Sequence, residues 1–185
     1  MVYQGDAGMA QSEFKTYKDV FDYEFASQFG SHKDDFLNTE IANFPEIDVE
    51  SIAPLMNITI KKVSNSSQSG SVEKTKEGIL IKINEEEVGY RQRFTIAHEI
   101  GHVVFKHLEV SQILYRAVKA FDPDIEDKLQ ERQANDFAAK LLMPDKLIEY
   151  HIHDLNIKEP GELAKKFNVS SISMEYRLIN LGYIR

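Results

Sequence analysis

The residues of this chain best placed to do chemistry are His98, Glu99 and His102, in the run His98-Glu99-Ile100-Gly101-His102. This is the H-E-x-x-H pattern. On a helix, residues four apart stack on one face, so both imidazoles can reach a single metal ion. Glu99, directly after the first histidine, then stands beside a water that the ion activates, where a general base belongs. A catalytic zinc takes three protein ligands and leaves one position open. Cysteine is absent from the 185 residues, so the third ligand must come from His, Asp or Glu.

Four places come into question for that ligand. His107 suits poorly, because a helix continued past His102 carries it to another face; it reads as a packing or helix-end histidine. A longer motif with its ligand at position 108 is excluded, since Phe105 and Leu108 stand where Gly and His are required. Glu131 is the better candidate. Asn135 follows it by four on the same face and can orient a ligand histidine. Small Ala134, Ala138 and Ala139 would let this helix approach the first closely. Glu126 is the fallback and lacks such a partner, and Asp136 points elsewhere.

The elements that must position these residues are legible from patterning. Asn84 and Glu87 resemble a capping box for a helix over about 88–107. Phe94, Ile96, Ala97, Ile100, Val103, Val104 and Leu108 make it apolar nearly all round, which predicts burial. Polar His98, Glu99 and His102 inside a buried helix are costly unless paired or bound to a metal. Strands are expected at Ile58, Ile60 and Val63 and over Gly78–Ile83, with Val72–Lys74 as hairpin partner, giving a small antiparallel three-stranded sheet. Gly78–Ile83 or its partner would offer a free edge to an extended substrate. The polar run Ser64–Ser71 reads as a flexible loop. Ser111–Phe121 is amphipathic and reads as packing. After Asp122-Pro123-Asp124, a helix over Ile125–Leu142 should bury Leu129, Phe137 and Leu141.

The first ten or so residues lack periodicity and read as disordered. Phe14, Tyr17, Phe21, Phe25 and Phe29 are spaced three and four apart, as on an amphipathic helix whose stripe packs into a core. At the far end, Glu159-Pro160 starts a helix and Asn168 suits a left-handed turn. Ser170 or Ser171 caps a last helix, with helix-turn-helix spacing. The divisions are an N-terminal extension over 1–45, a core over 46–154 and a C-terminal helical segment over 155–185.

Composition bounds the function. A hydrophobic fraction of 42% and a charged fraction of 28% are globular values. The net charge of −8 argues against a general nucleic-acid or anionic-membrane surface. No run approaches the roughly 20 apolar residues of a membrane span, and the N-terminus lacks a secretory flank. A cytoplasmic location is expected, with no membrane partner.

Arg91-Gln92-Arg93-Phe94-Thr95-Ile96-Ala97-His98-Glu99-Ile100-Gly101-His102, followed by the block from Glu131-Arg132-Gln133-Ala134-Asn135 to Met143-Pro144, closely resembles the ImmA/IrrE-type metallopeptidase family. The resemblance spans roughly residues 46–150. It implies a zincin-like core, and with the elements above the expected fold class is α+β: a mostly helical domain with the small antiparallel sheet, followed by the helix-turn-helix-like segment read from the C-terminal spacing. It also implies a gluzincin-like peptidase with one Zn2+ per chain on His98, His102 and Glu131. A repressor-cleaving role is implied for many members, so the expected partner is a helix-turn-helix repressor as protein substrate.

An oxyanion donor is expected as well, and Tyr115, Tyr150, His151, His153, Arg91 and Arg93 are the candidates. Direct DNA binding by the C-terminal segment is the competing reading and is not favoured. Lys158, Lys165, Lys166, Arg177 and Arg185 there are offset by Glu159, Glu162 and Glu175. An inactive zinc-binding scaffold is the third.

Overall fold

The computed structural model describes residues 13–64, 67–109, 113–117 and 125–185. The expected disorder of the first ten residues lies outside these. The fold is mixed α/β, and contacts divide it into two compact units.

One unit is the segment Val49–Ala139. It begins with helix α4 (Val49–Leu55) and strand β1 (Ile58–Val63), followed by β2 (Gln68–Lys74) and β3 (Ile79–Asn84). The three expected strands are joined by a fourth, β4 (Ile113–Ala117), in the order β1-β3-β2-β4. β2 runs antiparallel to both β3 and β4, whereas β1 pairs with β3 in parallel, from Ile58 opposite Ile79 to Val63 opposite Asn84. The sheet is therefore mixed rather than antiparallel throughout. β3 lies between β1 and β2, so neither β3 nor β2 carries the free edge expected of it; β1 and β4 are the outer strands.

Two further expectations change. The polar run reaching Ser71 is not all loop, because β2 extends back to Gln68 and buries Ser69, Gly70 and Ser71. The reason is steric. A Cβ on Gly70 would come within 2.3 Å of Thr95 Cγ2, so this strand runs against the next helix as only glycine permits. That helix, α5 (Gly89–Val104), has Val88 at its N-cap and no side-chain cap. Asn84 instead closes a turn, its Oδ1 accepting from Glu86 N–H at 3.0 Å, so the capping box is not formed. α5 buries Thr95 to His102 without interruption. Within Ser111–Phe121, the residues Ile113–Ala117 form β4.

Helix α6 (Ile125–Leu142) closes this unit and passes into the other. Its inner face carries Gln130, Ala134, Phe137, Ala138 and Leu141, while Leu129 is 57% exposed and does not belong to the stripe. A Cβ on Gly101 would lie 3.1 Å from Ala134 Cα, so α5 and α6 touch backbone to backbone. This contact brings Glu131 within reach of the histidines.

The other unit joins the residues before Val49 to Lys140–Arg185. The aromatic stripe is buried as expected, but not on one helix: Tyr17 lies in α1 (Tyr17–Val20) and Phe25 in α2 (Tyr23–Ser27), with Phe14, Phe21 and Phe29 between or before them and α3 (Lys33–Leu37) following. A single helix fails because Asp19 accepts from the Thr16 backbone at 2.9 Å and Asp22 from Phe25 N–H at 2.7 Å, each starting a helix afresh. Phe36 is the hub, stacked on Phe29 at 4.0 Å and touching Tyr17 and Phe21 at 5.1 Å. Helix α7 (Asp145–His153) is followed by α8 (Pro160–Phe167) and α9 (Ser171–Asn180). Asn168 takes the left-handed turn between the last two at φ 52°, and Ser170 caps α9 through Ser173 N–H. No helix among the described residues is long and apolar enough to cross a membrane.

Candidate metal centre

Helical spacing alone accounts for the first two groups. His98 and His102, one turn apart on α5, turn their rings to the same point, with Nε2 atoms 2.9 Å apart. Both are buried, at 0% and 1% exposure, as is Glu99 between them at 1%. α6 supplies the third group. Glu131 places Oε2 at 3.3 Å from His98 Nε2 and Oε1 at 3.2 Å from His102 Nε2. Among the described residues these three form a group of donors, all within 4.8 Å of one another, that could hold a metal ion.

The spacing permits a test of fit. Donors bonded tetrahedrally at about 2.0–2.1 Å stand about 3.3 Å from each other. The two imidazole nitrogens stand 2.9 Å apart, and each lies 3.2–3.3 Å from one of the two Glu131 oxygens, close to that spacing and suited to the ligand chemistry of zinc. Burial by itself would raise the Glu131 carboxyl. The two histidine rings beside it, His102 and His98, outweigh that and hold the group below the usual carboxylate range.

Asn135 lies one turn beyond Glu131, and its Oδ1 accepts from His98 Nδ1–H at 2.9 Å. That bond leaves the lone pair of His98 on Nε2, facing Glu131 and His102.

His107 is placed differently from expectation. The helix ends at Val104 and the backbone turns back through Lys106 at φ 59°. His107, in a short 3-10 turn, then brings Nδ1 to 2.9 Å from His102 Nδ1, and its Nε2 meets Gln133 Oε1 at 3.1 Å. Burial lowers the His107 pKa, opposed by the Gln133 hydrogen bond. Continued helix geometry hid this contact, since nothing in the residue type of Lys106 announces a left-handed turn. Gly70 and Gly101 were missed as well. They crowd the site, and a Cβ on Gly70 would lie 3.3 Å from Glu99 Oε1.

Of the candidate oxyanion donors, Arg91 pairs with Glu87 at 3.1 Å and reaches Ser69 Oγ at 3.5 Å. Arg93 sits half-buried on α5. Tyr115 is in β4, and its side chain lies outside the described residues, as does that of Glu126. Tyr150, His151 and His153 belong to the other unit. Tyr150 meets Phe14 at 5.3 Å, and His153 lies against Tyr183 at 6.0 Å. His151 is buried, its Nδ1 on Leu147 O and its ring against Phe44 and Phe167.

Residues 52–179 match the peptidase M78 family model, described as the IrrE N-terminal-like domain. The chain belongs to that family. It is similar to the metallopeptidase ImmA of Bacillus subtilis, 31% identical over 137 residues, covering 73% of this chain and 77% of that protein. It is also similar to the radiation response metalloprotease IrrE of Deinococcus radiodurans, 34% identical over 101 residues, covering 54% of this chain and 30% of that protein. Membership of the IrrE N-terminal-like family and the names of these relatives support a metallopeptidase. They fit a His-His-Glu cluster able to bind a metal.

Proposed function

We propose that this chain is a zinc-dependent endopeptidase that hydrolyses a peptide bond in a helix-turn-helix repressor and so regulates transcription by proteolysis. The convergence of His98 Nε2, His102 Nε2 and the Glu131 carboxylate beside buried Glu99 carries the reading. His98, His102 and Glu131 would hold the ion, with Asn135 orienting His98. When bound, zinc lowers the pKa of water and polarises a carbonyl oxygen. Glu99 is the general base, which takes a proton from the attacking water and returns it to the leaving amine. The zincin-like core would present β4, an outer strand of the sheet, as an edge to which an extended substrate adds by backbone hydrogen bonds.

The repressor substrate follows from the sequence resemblance. Direct DNA binding through α8 and α9 is disfavoured, although their spacing suits a helix-turn-helix-like pair. Arg177 is 5% exposed and occupied by Met143 O and Asp145, so it is lost as a phosphate contact. The outward residues Ile172, Tyr176 and Ile179 carry no charge.

The test is incubation of the zinc-loaded protein with a helix-turn-helix repressor encoded beside it. Cleavage is expected, abolished by chelation and reduced by about 10²–10⁴-fold in Glu99→Gln. Full cleavage by a metal-loaded Glu99→Gln variant would remove Glu99 from its role.

A further inference from the structure

The polar groups behind His102 form a directed chain, His102–His107–Gln133, that the proposed hydrolysis does not itself require. Its direction can be worked out from which atoms donate. Gln133 presents a carbonyl oxygen, which only accepts, to His107 Nε2, so that nitrogen carries the hydrogen. A neutral imidazole has one N–H, which leaves the lone pair of His107 on Nδ1. Nδ1 faces His102 Nδ1 at 2.9 Å, and one of that pair must donate, so His102 carries its hydrogen on Nδ1. The lone pair of His102 is then on Nε2, facing Glu131 and His98. Were Gln133 to present its amide nitrogen, every bond would reverse and His102 Nε2 would carry a hydrogen where a cation is to bind.

We propose that His107 and Gln133 are positioning residues that fix the tautomer of His102, as Asn135 fixes that of His98, and so hold both Nε2 lone pairs toward one cation. The inference rests on the metal-site reading above. His107 is no ligand, because the nitrogen nearest the site is engaged by the ring of His102. It is 6% exposed and reaches Gln133 on α6, so the chain also ties the turn after α5 to the helix that carries Glu131. Outer partners of metal-bound histidines commonly govern affinity by about 10–100-fold.

The experiment uses the full chain with histidine labelled in its ring nitrogens. NMR of the metal-free protein reports the tautomers directly. His102 is expected as Nδ1–H and His107 as Nε2–H, and the reverse pattern overturns the proposal. Zinc affinity, measured by chelator competition, should fall by about 10–100-fold in His107→Leu. It should largely return in His107→Asn, whose carbonyl oxygen can accept from His102 Nδ1–H. Unchanged affinity in a folded His107→Leu protein, or equal losses in both variants, also overturns the proposal. Expected tautomers in a chain that binds no zinc would leave this arrangement standing and remove the metal-site reading instead.

Discussion

Gly101→Ala probes the contact on which the site's third corner depends. An added Cβ would stand 3.1 Å from Ala134 Cα, 3.2 Å from Phe137 Cδ1 and 3.3 Å from Ala134 O. Ordinary carbon contacts lie at about 3.5–4.0 Å, so α6 must give by a few tenths of an ångström at this point. Two of those three atoms are backbone, so no rotamer change relieves the clash. Glu131 is three residues from Ala134 on the same helix and moves with it. Metal–ligand distances tolerate about 0.2 Å, so the shift should exceed what the site absorbs. Stability changes less than binding, because alanine's helix propensity favours the variant by about 1 kcal/mol while overpacking costs about 1–3 kcal/mol. We therefore expect zinc affinity to drop at least tenfold by chelator competition, with the metal-free protein destabilised by no more than about 2 kcal/mol. Gly89→Ala is the control on the same helix, because nothing lies within 4 Å of a Cβ there. Parental zinc affinity in a folded Gly101→Ala protein would refute the reasoning, since the helices would then not set the position of Glu131.

Further outcomes follow from other residues. Gly70→Ala forces a methyl to within 2.3 Å of Thr95 Cγ2, and calorimetry should show a loss of about 1–3 kcal/mol, or roughly 2–4 °C per kcal/mol. Adding Thr95→Ser removes the struck methyl, so the double variant should melt above the sum of the two singles; strict additivity would exclude the clash. Burial lowers the His151 pKa, with the Leu147 carbonyl opposing, so the unfolded chain takes up a proton first. Its contribution is complete above the unfolded pKa near 6.5 and declines as pH falls toward the lower folded pKa, by at most about 1.4 kcal/mol per pH unit. In His151→Phe the fall in stability between pH 6.5 and 5 should be shallower, and an unchanged slope in denaturant titrations would contradict this.

The site was more legible than the frame around it. His98, Glu99 and His102 declare themselves because one helical turn fixes their relation, and Glu131 with Asn135 is the same rule applied again. What escaped depended on backbone detail that residue type does not encode. The left-handed Lys106 returns His107 to His102, whereas an uninterrupted helix carries it away. Ser69, Gly70 and Ser71 look like loop because small polar residues have low strand propensity, yet a close helix makes small size the requirement there. The parallel pairing of β1 with β3 was invisible because strand order depends on contacts distant in sequence. Among the aromatics, spacing marked what is buried, while Asp19 and Asp22 decided how often the helix restarts.

The central claim is that His98, His102 and Glu131 hold one catalytic zinc, and the metal content of the purified protein tests it most directly. We expect about one zinc per chain in the parent and in Glu99→Gln, and a large fall in His98→Ala and Glu131→Ala. A parent without bound metal, or ligand variants that keep it in full, would contradict the account.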